Sequence, residues 1–399
     1  NDNVVEMACR ITASAPSCLD GSSALQGAII DRLKVLCVEG TAAQAKQATR
    51  TLVWLACHGK EGHGHIKEVF EVISEAARDD ELLDSNLPGV LATVSVVGQR
   101  MPSLFMQHVD DIEAFIVNDL LARPLPQNPK SSRVSTLAQM QSSGLKTLAI
   151  GCTRSQDKSQ ATVRTAYMKR VVEVIRSIMS ADADDMHRFG SAADATHLRV
   201  AAGKAFLVLV RSAPSFVPPD LFVSTALLVK ESPAEMIGKL EHGITKHGLP
   251  QTFAAPLALC AVGHDSVTRK TAADALASIF SSLRRRSAEF RERYASTMDA
   301  AVLNRTALTQ SAEYTLPYLV FLLAHHPDLP SKETGAANKG VAYRPFQQML
   351  SFLVGTLTAG SKQCLPAAMK MMSLMKRTVD ATNVDLSHGL YVMADIALL

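Results

Sequence analysis

Aromatic residues are scarce in this 399-residue chain: they make up 5%, and tryptophan occurs once, as Trp54. Sandwiches and barrels usually draw on more aromatic and β-branched alternation, so this scarcity argues against both. Long apolar runs are also missing. The longest, such as residues 316–324, are far too short to cross a bilayer, so no membrane span is expected. No strand-then-glycine phosphate loop, nucleophile elbow or local protease signature occurs, and no cofactor or metal is expected; the chain is read as not an enzyme. The start at residues 1–5 has no basic segment or long apolar stretch, so no secretory leader is read there. An excess of charge of either sign is absent too. The formal net charge is +3, so the molecule is not a polycation that coats nucleic acid indiscriminately, and any such role falls to local patches.

Alanine, leucine, valine and methionine, by contrast, are plentiful, and 47% of the residues are hydrophobic. Apolar residues recur at three and four spacing in segment after segment, separated by short Pro, Gly or Ser interruptions. The spacing predicts helices over 25–38, 42–57, 66–78, 87–97, 112–121, 136–150, 161–179 and 197–211. Further helices are predicted over 219–230, 234–246, 254–262, 266–283, 289–303, 312–324, 343–357, 364–378 and 386–399. Loops are predicted over 123–132, which holds three prolines, over the acidic stretch 181–195, and over 330–340. The seven cysteines are odd in number and scattered, which suits free buried thiols in a reducing compartment.

The chain also repeats itself. Leu198-Arg199-Val200-Ala201-Ala202-Gly203-Lys204-Ala205-Phe206 returns as Thr268-Arg269-Lys270-Thr271-Ala272-Ala273-Asp274-Ala275-Leu276. Alanines three and six positions after the arginine place small side chains where one helix approaches another, and Phe206 or Leu276 fills the seam. The arginine is expected to reach a carboxylate in the adjoining repeat. This is the logic of stacked HEAT-type helix pairs. The expected fold is therefore an all-α HEAT-repeat superhelical solenoid of stacked antiparallel helix pairs. Residues 1–399 are read as one continuous array of about eight to ten repeats, at roughly 40–47 residues per pair, and as a fragment of a longer chain.

In a solenoid, function lies in surfaces. The strongest charge feature is Arg284, Arg285 and Arg286 followed by Arg291 and Arg293, with Glu289 and Glu292 interspersed. These five arginines are nominated as a partner-binding surface for an acidic peptide or the DNA backbone. His58, His63 and His65 offer a His-x-His spacing, but no second ligand pair stands at a defined spacing, and a solvated turn explains them. Met369, Met371, Met372 and Met375 form either core filler or an adaptable groove for a partner helix. His325-His326-Pro327-Asp328 ends an apolar helix, where imidazoles suit the helix dipole.

Several phrases, in order, resemble the precocious-dissociation-of-sisters family, HEAT-repeat regulators of the cohesin complex. They are Gly40-Thr41 with residues 44–52, Val117-Asn118-Asp119-Leu120-Leu121, residues 198–205, and Pro219-Asp220-Leu221-Phe222. After these come Glu313-Tyr314-Thr315-Leu316-Pro317-Tyr318-Leu319 with residues 322–328, and finally residues 390–398. Ser232 to Leu240 departs from the pattern by lacking an arginine and carrying Gly238, and the basic stretch at 265–270 is thinner. The resemblance implies a nuclear, chromatin-associated, non-enzymatic scaffold that regulates sister chromatid cohesion. It also implies binding of cohesin subunits, the kleisin above all, together with a cohesin release factor and an acetyltransferase. The alternative from residues alone is a generic HEAT adaptor of the nuclear transport or assembly type, which predicts acidic, Asn- and Trp-rich inner helices.

Overall fold

The computed structural model describes residues 24–58, 62–78, 85–126, 133–152, 161–180, 190–214, 217–309, 311–330, 336–360, 364–380 and 382–399. Their regular structure is helical and, among the described residues, no strand occurs. The chain divides into two compact units, residues 1–212 and 213–399.

The first unit contains α1 (Ala24–Glu39), α2 (Ala42–His58), α3 (Gly62–Arg78), α4 (Leu87–Arg100), α5 (Pro102–Gln107) and α6 (Val109–Ala114). The last of these runs into a wider π-helical turn, Phe115–Leu120. Then follow α7 (Thr136–Gly151), α8 (Ala161–Met179) and α9 (Ala192–Ser212). Helices α2, α4, α7 and α9 pack side by side in that order as one layer; α1, α3, α6 and α8 lie against it as the other. The alternation follows from amphipathicity. Each helix has one apolar stripe and buries it on its sequence partner and on the next pair.

Small and hydroxyl-bearing side chains set the α2–α4–α7 spacing. A Cβ at Gly89 would overlap the Gly40 carbonyl oxygen, so the start of α4 lies against bare backbone. The buried Thr93 hydroxyl donates to the Cys37 carbonyl at 2.7 Å and stands 3.0 Å from Thr49 Oγ1. Two residues on, on the opposite flank of α4, the Ser95 and Thr147 hydroxyls meet at 2.7 Å across the α4–α7 seam.

The second unit contains α10 (Pro219–Glu231), α11 (Pro233–Lys246), a 3-10 segment (Gln251–Ala261), α12 (Ser266–Tyr294) and α13 (Ala300–Thr309). It ends with α14 (Thr315–Ala324), α15 (Ala336–Gly360), α16 (Cys364–Met375) and α17 (Ser387–Leu398). The 3-10 segment is the hub, touching α10, α11, α12, α14 and α15, with Phe253 to Cys260 wholly buried. An α-helix was the expectation here. In an α-turn the Pro256 ring would clash with the Thr252 carbonyl, which disfavours α winding here.

Other boundaries moved for equally local reasons. A break was predicted at 284–288, yet α12 runs unbroken for 29 residues. The arginine run hides the apolar period from view, but it contains no Gly or Pro, and buried Leu283 and Ser287 carry the stripe through it. Pro102 starts an unpredicted short helix, as Pro219 and Pro233 start longer ones, because proline suits the first helical position. Asp194, read as part of an acidic loop, lies in the first turn of α9, buried, accepting a hydrogen bond from the Ser135 amide at 2.7 Å. Of the predicted loops, 127–132, 181–189 and 331–335 lie outside the described residues, and residues 336–340 belong to α15.

The repeated phrase packs as its spacing requires. Ala202, Ala205 and Phe206 on α9 are buried, and so are Ala272, Ala275 and Leu276 on α12. Cys37, Cys152, Cys260 and Cys364 are buried thiols, whereas the Cys57 thiol is exposed. Burial alone pushes the Cys260 thiol up to about 11.

Candidate partner surface

Helix α12 presents the five nominated arginines. Asp265 starts it, its carboxylate accepting from the Thr268 amide at 2.7 Å; that backbone hydrogen bond holds the Asp265 carboxyl below its ordinary range. The buried stripe is Ala272, Ala275, Leu276, Ile279, Phe280, Leu283 and Ser287. At about 100° per residue, Arg284 and Arg291 flank this stripe on one side, Arg286 and Arg293 on the other, and Arg285 faces away from it. Neighbours in sequence therefore point in three directions.

Two of the five are engaged with backbone. Arg284 Nη2 donates to the Leu357 carbonyl at 2.6 Å, and a Cβ at Gly360 would overlap its guanidinium, so it sits on the C-terminal turn of α15. Arg286 Nη2 donates to the Ile244 carbonyl at 2.9 Å and to that of Thr245, on the last turn of α11. Cations at helix C-termini satisfy carbonyls that have no intrahelical partner and complement the negative end of the dipole. Arg285, Arg291 and Arg293 are exposed; Arg285 Nε lies 3.7 Å from Glu289 Oε1, an open i,i+4 pair of small value.

Arg285 also lines a groove of about 530 Å³ between α11 and α12. Glu241, His242, Thr245 and Lys246 form one wall; Ser278, Ser281, Ser282 and Arg285 form the other. The Ser282 hydroxyl oxygen is buried there without a hydrogen-bond partner. The α11 wall was not nominated from sequence. Its signal is only that 238, 241, 242 and 245 fall opposite the buried Met236, Ile237, Leu240 and Ile244, a pattern any surface helix shows.

Other constellations have structural work. Ser74, His108 and Asp111 converge: the Ser74 hydroxyl donates to Asp111 Oδ2 at 2.9 Å and lies 3.2 Å from His108 Nδ1. A carboxylate only accepts, so His108 donates to the serine, and the serine is the middle of the chain. A nucleophile needs the opposite order, with histidine taking the serine proton. Ser74 is buried, and Arg78 completes the brace to Asp111 at 2.7 Å, holding that carboxyl below its ordinary range. His63 and His65 lie on α3, and among the described residues no group of three or more His, Cys, Asp or Glu side chains is placed to hold a metal. Met372 is fully buried and Met371 nearly so, while Met369 is half exposed, so the methionine cluster is split between core and surface. His326 is buried edge-on against Phe346, and His325 joins the last carbonyls of α14 to Thr382.

Comparison with known proteins gives one consistent result. The family model described as "Sister chromatid cohesion protein PDS5 protein" matches residues 1–399. A zebrafish (Danio rerio) protein named sister chromatid cohesion protein PDS5 homolog A is 26% identical over 424 aligned positions, covering 100% of this chain and 30% of its own length. The human homolog A is 26% identical, covering 90% of this chain and 26% of its own length; that of Arabidopsis thaliana is 22% identical, covering 92% and 23%. The chain thus spans less than a third of the length of these relatives. An engineered protein of solved structure aligns over 100% of this chain at 14% identity and a TM-score of 0.27, too low to bear on the fold.

Proposed function

The chain belongs to the PDS5 family of sister chromatid cohesion proteins, and from that premise we propose that it is a non-enzymatic, nuclear, chromatin-associated scaffold that holds cohesin subunits. The kleisin is the first partner, with a release factor and an acetyltransferase recruited through short peptide segments. The partner surface is the exposed part of α12 with the α11–α12 groove, where Arg285, Arg293 and Lys246 receive acidic side chains of an extended peptide and Arg291 adds positive field from the opposite flank. The observation that carries this reading is the groove itself. It runs between two packed helices, and its lining sets four hydroxyls, His242, Lys246 and the exposed Arg285 against a single carboxylate, Glu241.

Arg284 and Arg286 serve the fold, and this divides the nominated cluster into two testable halves. Purified chain is mixed with separate kleisin, release factor and acetyltransferase at two salt concentrations. Capture of one of them is expected, falling with salt, and weakening about tenfold, or 1.4 kcal/mol, in the R285E/R291E/R293E variant at unchanged melting temperature. R284A and R286A are expected to lower the melting temperature instead, each losing a charged hydrogen bond worth about 1.5–3 kcal/mol. Capture that is absent, or indifferent to the triple reversal, overturns the proposal.

A further inference from the structure

The α2–α4–α7–α9 layer of the first unit carries seven basic residues, Lys46, Arg50, Arg100, Lys146, Arg199, Lys204 and Arg211. Against them stands a single carboxylate, Asp194, and it is buried and turned to the Ser135 amide. The other layer is the reverse. There Lys34 pairs with Glu68 at 2.6 Å, Arg78 with Asp111 at 2.7 Å, and Arg170 with Glu113 at 2.6 Å, while Arg176 pairs with Glu173. Apart from the buried Asp194, carboxylates are thus confined to the other layer, and the exposed cations of this one are not offset by acids on its own helices.

The exposed heads converge. Lys46 and Arg50 rise from α2 and Lys146 from α7, with α4 between them offering Ala92, Ser95 and Gln99. Partial burial, then the charges of Arg50 and Lys146, hold the Lys46 ammonium below its ordinary range, so the three cations share one field. Among the described residues none of Lys46, Arg50, Arg100 and Lys146 stands in an ion pair. The large apolar side chains that are exposed elsewhere, such as Val35 on α1, Val72 on α3 and Val163 on α8, have no counterpart on α2, α4, α7 or α9.

We infer that this layer is a contact surface for the phosphate backbone of duplex DNA, centred on Lys46, Arg50 and Lys146, with Arg100 farther along at the C-terminal end of α4. An amphipathic helix docks through apolar anchors, and this face exposes no large apolar side chain to receive them. A lattice of phosphates needs no anchor; it needs long flexible cations on a low floor with no carboxylate to repel it. The half-buried Trp54 is the one aromatic on these helices outside the core, so there is no ladder of rings for stacking unpaired bases. The contact reads backbone and not sequence. It shares no residue or helix with the α12 surface and does not rest on that reading.

The test is fluorescence anisotropy of a labelled duplex of mixed sequence, about 30 base pairs long, titrated with the full chain between 50 and 200 mM salt. With four phosphate contacts the log–log slope is expected near about −3.6, an affinity loss of about 150-fold over that range. Replacing three of the cations in the K46E/R50E/K146E variant is expected to flatten the slope by about 2.7, with circular dichroism and melting temperature unchanged, since all three side chains are exposed. A second duplex of different sequence is expected to bind equally. No binding by the parent chain, or an unchanged slope in a folded triple variant, overturns the inference. So does poly-glutamate of matched charge binding as tightly as DNA through the same three residues, which would assign the surface to an acidic polypeptide.

Discussion

Single side chains in this protein are decided by what the backbone around them leaves unsatisfied. His326 accepts from the Asp328 amide at 3.1 Å through Nδ1, so its proton sits on Nε2, a buried nitrogen with no partner. Burial, reinforced by Lys230 and opposed by Asp328, holds the His326 imidazolium below the ordinary histidine range. An unfolded histidine takes up its proton near about pH 6.5, the folded one only further down, so the unfolded state binds more protons in that interval. The contribution of His326 to stability is therefore complete above about pH 6.5 and is lost as pH falls through the folded value. Denaturant unfolding from pH 7.5 to 5 should show the parent chain losing more stability than His326→Asn, which retains an acceptor for the Asp328 amide but does not titrate. Parallel profiles would refute it. Arg284 and Arg286 follow the same rule of satisfying backbone: a run of arginines looks like surface, yet two of the three end on carbonyls of other helices. No sequence pattern announces this, because the acceptors lie 41–73 residues away.

Among helices, the decisive contacts are the seams between neighbours in one layer. The α2–α4 seam is closed by Thr49 and Thr93 and the α4–α7 seam by Ser95 and Thr147, with Gly89 allowing the approach. Read along the chain these are unremarkable polar residues in helices; in the structure Thr49, Thr93 and Thr147 are buried, with hydroxyl partners across the seams. Thr93→Val keeps the shape but strips the Cys37 carbonyl of its donor and leaves Thr49 Oγ1 facing a methyl group. A cost of about 1–3 kcal/mol follows from orphaning buried polar groups, to be read from the denaturant midpoint. A midpoint equal to that of the parent would mean the hydroxyls are incidental to the packing. The continuity of α12 is the complementary case, in which packing of Leu283 and Ser287 overrides a polar interruption of the apparent period.

At the scale of the whole molecule, charge is sorted rather than accumulated. A net charge of +3 conceals a first unit with one layer nearly free of carboxylates and another laced with ion pairs. The second unit has its own groove and its own exposed arginines. Because the two proposed surfaces share neither residue nor helix, their effects are expected to add. The R285E/R291E/R293E variant should keep the DNA slope of the parent to within one contact, about 0.9, and the K46E/R50E/K146E variant should keep the capture of the cohesin partner. Either variant abolishing both activities would show the surfaces to be one. The sequence by itself determined the helical class, the close-approach alanines of the repeated phrase and the family, since each rests on local spacing and ordered phrases that survive without coordinates. Only the tertiary structure decided which cations face solvent, which cap neighbouring helices, and that seven of them share one layer. Burial and charge convergence depend on residues distant in the chain, and packing alone brings those together.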